Sequence, residues 1–210
     1  MGSDVENQAN TKQTARGRWK LLLVIAVCAA PLLASYFMYY VVKPQGGQTN
    51  YGTLLDPRQY PIPAMASRQL DGSPASLADY RGKWIMLKVG PSDCRQDCQD
   101  QLFAMRQLRT MQGKAMDRIE RVWLITDEAP LDTMLIRVND GTRMLRAPAA
   151  TVAHWLPVEQ GAAAASYVYL IDPLGNLMMR FPQGAVSSDT ARAARVSKDL
   201  AKLLKASAIG

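Results

Sequence analysis

The sequence predicts an α/β domain carried behind a single N-terminal transmembrane helix. Three observations predict it. Residues 21–42 form an apolar run without a charge. Beyond it, apolar runs of strand length alternate with stretches of helical periodicity. Setting aside a polar tail and the span leaves about 150 residues, the usual size of one compact domain. The expected division is a cytoplasmic tail at 1–20, a transmembrane helix at 21–42, a linker at 43–60 and the α/β domain at 61–207.

The span reads LLLVIAVCAAPLLASYFMYYVV. As a helix it is about 33 Å long, enough to cross the hydrocarbon core. Tyr36, Tyr39 and Tyr40 cluster at its C-terminal end, where an aromatic belt belongs. A cleaved signal peptide has a shorter apolar core ending at small residues. Here Cys28, Ala29 and Ala30 are followed at once by Pro31 and more apolar chain, so an uncleaved anchor is expected. Lys12, Arg16, Arg18 and Lys20 precede the span, while Lys43 alone follows it closely. The positive-inside bias puts the N-terminus in the cytoplasm and residues 43–210 across the membrane. The tail has almost no large apolar residues and is expected to be disordered. Gly46 and Gly47 mark a flexible linker.

The net charge of +7 is not concentrated. Residues 51–210 hold 20 basic and 16 acidic residues, scattered and without interleaved aromatics. That is a solvated surface, and no nucleic-acid partner is expected. Three cysteines are too few for a disulfide-built fold.

In the domain, Leu70-Asp71-Gly72-Ser73-Pro74 is a turn. Residues 84–89, WIMLKV, are a buried strand ending at Gly90-Pro91. Cys98, Leu102, Met105 and Leu108 then recur at helical spacing, with Gly113 as a stop. Residues 120–126 are a second strand. A variable region follows, with short helices at about 131–137 and 149–155. Residues 167–172 are a third strand, Pro173–Asn176 a turn and 177–181 its hairpin partner. A helix at about 188–206 closes the chain, with Ala193, Val196, Leu200, Leu203 and Leu204 on its apolar side.

Cys94 and Cys98 carry the chemistry. Cys94 stands where strand 84–89 gives way to the helix and is expected in the first helical turn. Free amide N–H groups and the helix dipole stabilise a thiolate there. Arg95 would help, and Asp93 and Asp97 would oppose. Cys98 is one turn on, on the same face, which brings the Cα atoms to about 6 Å, within reach of a disulfide. Two chemistries stay open. Cys94 acts as an exposed attacking thiol and Cys98 as the resolving one, or both sulfurs grip a soft metal such as Cu(I).

The stretches Leu70-Asp71-Gly72, Ser76 to Trp84, Gly90-Pro91-Ser92-Asp93-Cys94, Cys98 and Tyr169-Leu170-Ile171-Asp172-Pro173-Leu174-Gly175 together resemble the Sco/SenC family. The likeness runs over roughly residues 50–206, and the C-x-x-x-C spacing is its specific part. It implies a thioredoxin-like fold and a membrane-anchored protein that helps assemble the copper centre of cytochrome c oxidase. It also implies copper bound by the cysteine pair and one histidine, or thiol–disulfide reduction. Two departures stand out. Gln99 takes the place of a family proline, and the family's copper histidine falls near Ala164. The one histidine of the chain is His154. It is a doubtful third ligand, and Met134, Met144, Met178 and Met179 are the thioether alternatives.

The expected function is thus a thiol–disulfide oxidoreductase serving cytochrome oxidase assembly through Cys94 and Cys98. A Cu(I)-transfer chaperone and a non-catalytic assembly factor are the alternatives. Expected partners are the membrane and an oxidase subunit or copper chaperone. A bacterial inner membrane, with the domain in the periplasm, fits a tail carrying Asp4 and Glu6 better than a mitochondrial transit peptide does.

Overall fold

A computed structural model of the chain describes residues 3–42, 50–182, 184–187 and 189–207. They fall into two compact units, Met1–Thr49 and Asn50–Gly210.

The first unit is one long helix, α1 (Ser3–Phe37), closed by a π-helical turn at Met38–Val42. Arg18–Tyr40 is long and apolar enough to cross a membrane. The tail expected to be disordered is instead the N-terminal half of this helix. Residues 3–20 contain no proline, and Gln8, Ala9, Lys12, Gln13, Ala15 and Arg16 are good helix formers. Once the apolar span is helical the nucleation cost is met, so each further residue needs only propagation. The linker expected at 43–60 lies outside the described residues as far as residue 49.

The second unit is an eight-stranded sheet. Its strands are β1 (Thr53–Leu54), β2 (Ser67–Gln69), β3 (Pro74–Ala75), β4 (Trp84–Gly90), β5 (Ile119–Ile125), β6 (Arg143–Arg146), β7 (Val168–Ile171) and β8 (Leu177–Phe181). The order is β1-β8-β7-β4-β5-β6-β2-β3. The three central strands β4, β5 and β6 are parallel, with Trp84 opposite Ile119 and Gly90 opposite Ile125. The other pairings are antiparallel. Because β1 belongs to the sheet, the folded domain starts ahead of the linker's expected end at residue 60.

Every residue of β4 is buried, which an apolar run in the middle of a covered sheet requires. Alternation divides the strand between two cores. Trp84 and Met86 face a layer made by α2 (Gln96–Met111) and α5 (Thr190–Ala206), through Leu102, Met105, Leu108, Val196, Leu200 and Leu204. Ile85, Leu87 and Val89 face the other layer, with Leu77, Tyr169 and α4 (Ala149–Trp155). A short α3 (Thr133–Val138) joins β5 to β6.

Most of the expected elements lie within a residue or two of their observed bounds. The exceptions are the short strands. β6 lies in what read as a variable region, and β2 and β3 flank the turn at Leu70–Ser73 as a hairpin.

Candidate functional site

The loop from β4 to α2 is fixed by its own polar groups. The Ser92 amide donates to Asp127 Oδ2 at 3.0 Å, and the Cys94 amide to the Ser92 carbonyl at 2.8 Å. Gln99 donates its side-chain amide to the Cys94 carbonyl at 2.9 Å. The residue that departs from the family proline therefore ties Cys94 to the helix.

Helix α2 begins at Gln96, with Arg95 as its N-cap. Cys94 thus lies one residue ahead of the cap rather than in the first turn. Pro91 and Ser92 hold the chain in an extended loop before the helix can start. Cys98 is the residue in the first turn. The two cysteines are joined in a disulfide with Cα atoms 5.2 Å apart.

Exposure also differs from expectation. Cys94 is only 8 % exposed and packs into the α2–α5 core, while Cys98 is half-buried and lines a groove of about 590 Å³. The helix carries Cys98 outward, whereas the loop turns Cys94 under it. Of the two cysteines, Cys98 is the one that lines the groove.

Cys98 shares the groove with Ala165 and Ser166, from the 3₁₀ turn Ala164–Ser166. The family histidine was expected near Ala164, which packs against the opposite core, while its neighbours Ala165 and Ser166 share the groove with Cys98. Two buried polar side chains clamp this turn. Lys88 donates from its ammonium to the Ala165 carbonyl, and Gln101 Nε2 to the Ser166 carbonyl at 3.2 Å. Both line the groove. Burial pushes the Lys88 pKa down to about 8, with Asp97 pulling it back up. Neither residue was singled out from the sequence. A single charge inside WIMLKV was the available signal, because a lysine in a fully buried strand must have a partner.

His154 is elsewhere. It sits exposed on α4, whose Val152 and Trp155 pack into the core on the opposite face of the sheet from Cys94. Met134 is exposed on α3, Met144 and Met178 are half-buried, and Met179 is buried in the α2–α5 core. Among the described residues, no three His, Cys, Asp or Glu side chains come together as a metal site. Among the described residues the two sulfurs therefore have no third His, Cys, Asp or Glu donor. Cys28 is a free, exposed thiol within the span.

A parallel β-strand core, a helix starting two residues after the first cysteine and a C-x-x-x-C disulfide define a protein of thioredoxin-like fold. The chain belongs to the family described as transmembrane-like, thioredoxin-like, whose C-terminal domain matches residues 84–207 and whose N-terminal domain matches residues 12–42. The structure is similar to apo Sco1 of Thermus thermophilus, with a TM-score of 0.52 and 16% identity, over 75% of this chain and 96% of that one. It is similar to copper-bound ScoI of Arabidopsis thaliana, with a TM-score of 0.51 and 14% identity, over 70% and 99%. It is also similar to the thioredoxin domain of a thiol-disulfide oxidoreductase from Bacteroides vulgatus, with a TM-score of 0.50 and 16% identity, over 70% and 96%. At these identities the likeness is one of fold. None of the curated proteins matches the chain in sequence.

Proposed function

We propose that this protein is a membrane-anchored thiol–disulfide oxidoreductase that serves copper-centre assembly of cytochrome c oxidase, with the domain on the periplasmic side of a bacterial inner membrane. The observation that carries the reading is the Cys94–Cys98 disulfide with Cys98 lining an open groove. The basic residues ahead of the span support the orientation.

The exchange balances without a cofactor. In the reduced protein the Cys98 thiolate attacks a partner disulfide, forming a mixed disulfide and releasing one partner sulfur, which takes up a proton. Cys94 then gives up its proton and attacks Cys98. The mixed disulfide breaks, Cys94–Cys98 closes, and the partner leaves as a dithiol carrying two electrons. A reduced dithiol protein reverses the steps to reload the pair.

The test is oxidase copper loading in cells carrying Cys94→Ser or Cys98→Ser. Loss of loading in both is expected, and normal loading in both would reject the reading.

A second reading, transfer of Cu(I) as cargo, is favoured by the closeness of two soft sulfur donors. The lack of a third His, Cys, Asp or Glu donor among the described residues weighs against tight binding. Titration of the reduced full-length protein with Cu(I) against a competing chelator decides between them. One tightly held copper that disappears in Cys94→Ser would make it a copper carrier.

A further inference from the structure

We propose that Lys88 is the charge partner of Cys98, its buried ammonium stabilising the thiolate that Cys98 becomes when the disulfide opens, so that this lysine sets how oxidising the pair is. The proposal rests on the redox reading above and assigns Lys88 as a positioning residue acting through the sulfur.

Strand alternation puts Lys88 on the same side of β4 as Met86 and Trp84, facing α2. The residue is 2 % exposed, yet lines the groove together with Cys98. An ammonium has three donors. The Ala165 carbonyl takes one and supplies no neutralising charge. The charge that acts on it is that of the exposed Asp97, so the buried cation gains from a further anion brought close to it.

The other charges lining the groove are Asp93, Asp97, Asp100 and Arg95. The carboxylates oppose a thiolate. Asp93 is 70% exposed and paired with Arg95 at 3.0 Å, and Asp97 is exposed. Water and salt screen Asp93 and Asp97, and the half-buried Asp100 accepts from Gln96 Nε2 at 2.9 Å. Lys88 is screened far less, and the first turn of α2 adds its own positive end at Cys98. The balance at the groove floor favours the anion. Near neutral pH the amine keeps its proton, because its pKa of about 8 lies above that pH.

A thiolate stabilised in this way favours the dithiol form. It raises the reduction potential and the fraction of Cys98 ready to attack.

The experiment uses the full-length protein in detergent, in a Cys28→Ser background so that only the pair reports. It is equilibrated at pH 7 with reduced and oxidised glutathione, and the dithiol fraction is read by thiol trapping. Lys88→Met and Lys88→Gln are compared with the parent. Glutamine removes the charge while keeping a donor for the Ala165 carbonyl. Both variants are expected to shift the equilibrium toward the disulfide by about tenfold, which is ~30 mV for a two-electron couple. Alkylation of Cys98 in an added Cys94→Ser background is expected to slow by a similar factor. If Lys88→Gln retains the parent's potential and alkylation rate, the charge plays no part and the proposal falls, while the redox reading stands. A parent disulfide that exchanges with neither glutathione nor a small dithiol would reject both.

Discussion

Lys88 and Ala165, 77 positions apart in the chain, are joined by a hydrogen bond from the lysine ammonium to the alanine carbonyl. The bond links β4 to the turn ahead of β7 and holds a cation inside the fold. Burial lowers the Lys88 pKa from its unfolded value of 10.5 to about 8. Between these values the unfolded chain binds the proton and the native chain does not, so stability rises with pH. Below about 8 both states are charged and the slope vanishes. Denaturant titrations at pH 7.5 and 9.5 should show a rise on the order of 1–2 kcal/mol that is absent in Lys88→Met. Above pH 10 the buried Tyr169 hydroxyl, whose pKa burial raises, works in the opposite direction.

Reduction of the Cys94–Cys98 bond should cost little stability. The cysteines are four residues apart, and closing so short a loop removes little freedom from the unfolded chain. The loss-of-entropy estimate is about 2 kcal/mol. Urea midpoints with and without a dithiol reductant check it. A loss several times larger would mean that the bond is chiefly structural.

Asp199 anchors the start of the domain. Its buried carboxylate accepts the Tyr51 amide at 2.5 Å and the Gly52 amide at 3.0 Å, tying the chain just before β1 to α5. Asp199→Ala leaves both donors without it and should destabilise by about 2–3 kcal/mol. Asp199→Asn keeps an acceptor and should cost less. Thermal or urea unfolding of the two variants measures the difference.

His154→Ala should change neither the reduction potential nor Cu(I) uptake. The imidazole is exposed on the helix that packs against the face of the sheet opposite the cysteines. A drop in copper affinity in this variant would show that the histidine reaches the sulfurs.

Legibility in the sequence followed the length of the pattern. The strand at 84–89, the helix through Cys98, Leu102 and Met105, the hairpin at 167–181 and the last helix each repeat their period over several residues, and all were readable. Strands β1, β2, β3 and β6 span two to four residues, too short to show a period, and β6 is half charged, Arg143-Met144-Leu145-Arg146. Their conformation comes from pairing with a neighbour, a tertiary fact that no local window contains. The cysteine pair was legible from its spacing. The burial of Cys94 was not, because it depends on how many loop residues follow Pro91 before the helix begins. Lys88 went unread because its meaning lies in a turn 77 positions downstream.

Both outer strands of the sheet, β1 and β3, are two residues long, and β3 opens with Pro74. A proline offers no amide to a newcomer, and two residues are too short a template for a foreign strand to register against. Among the described residues, copies crowded side by side therefore find no long open strand at either margin of the sheet. On the proposed redox reading, clients released after each exchange would meet the protein at its groove rather than at the margins of its sheet.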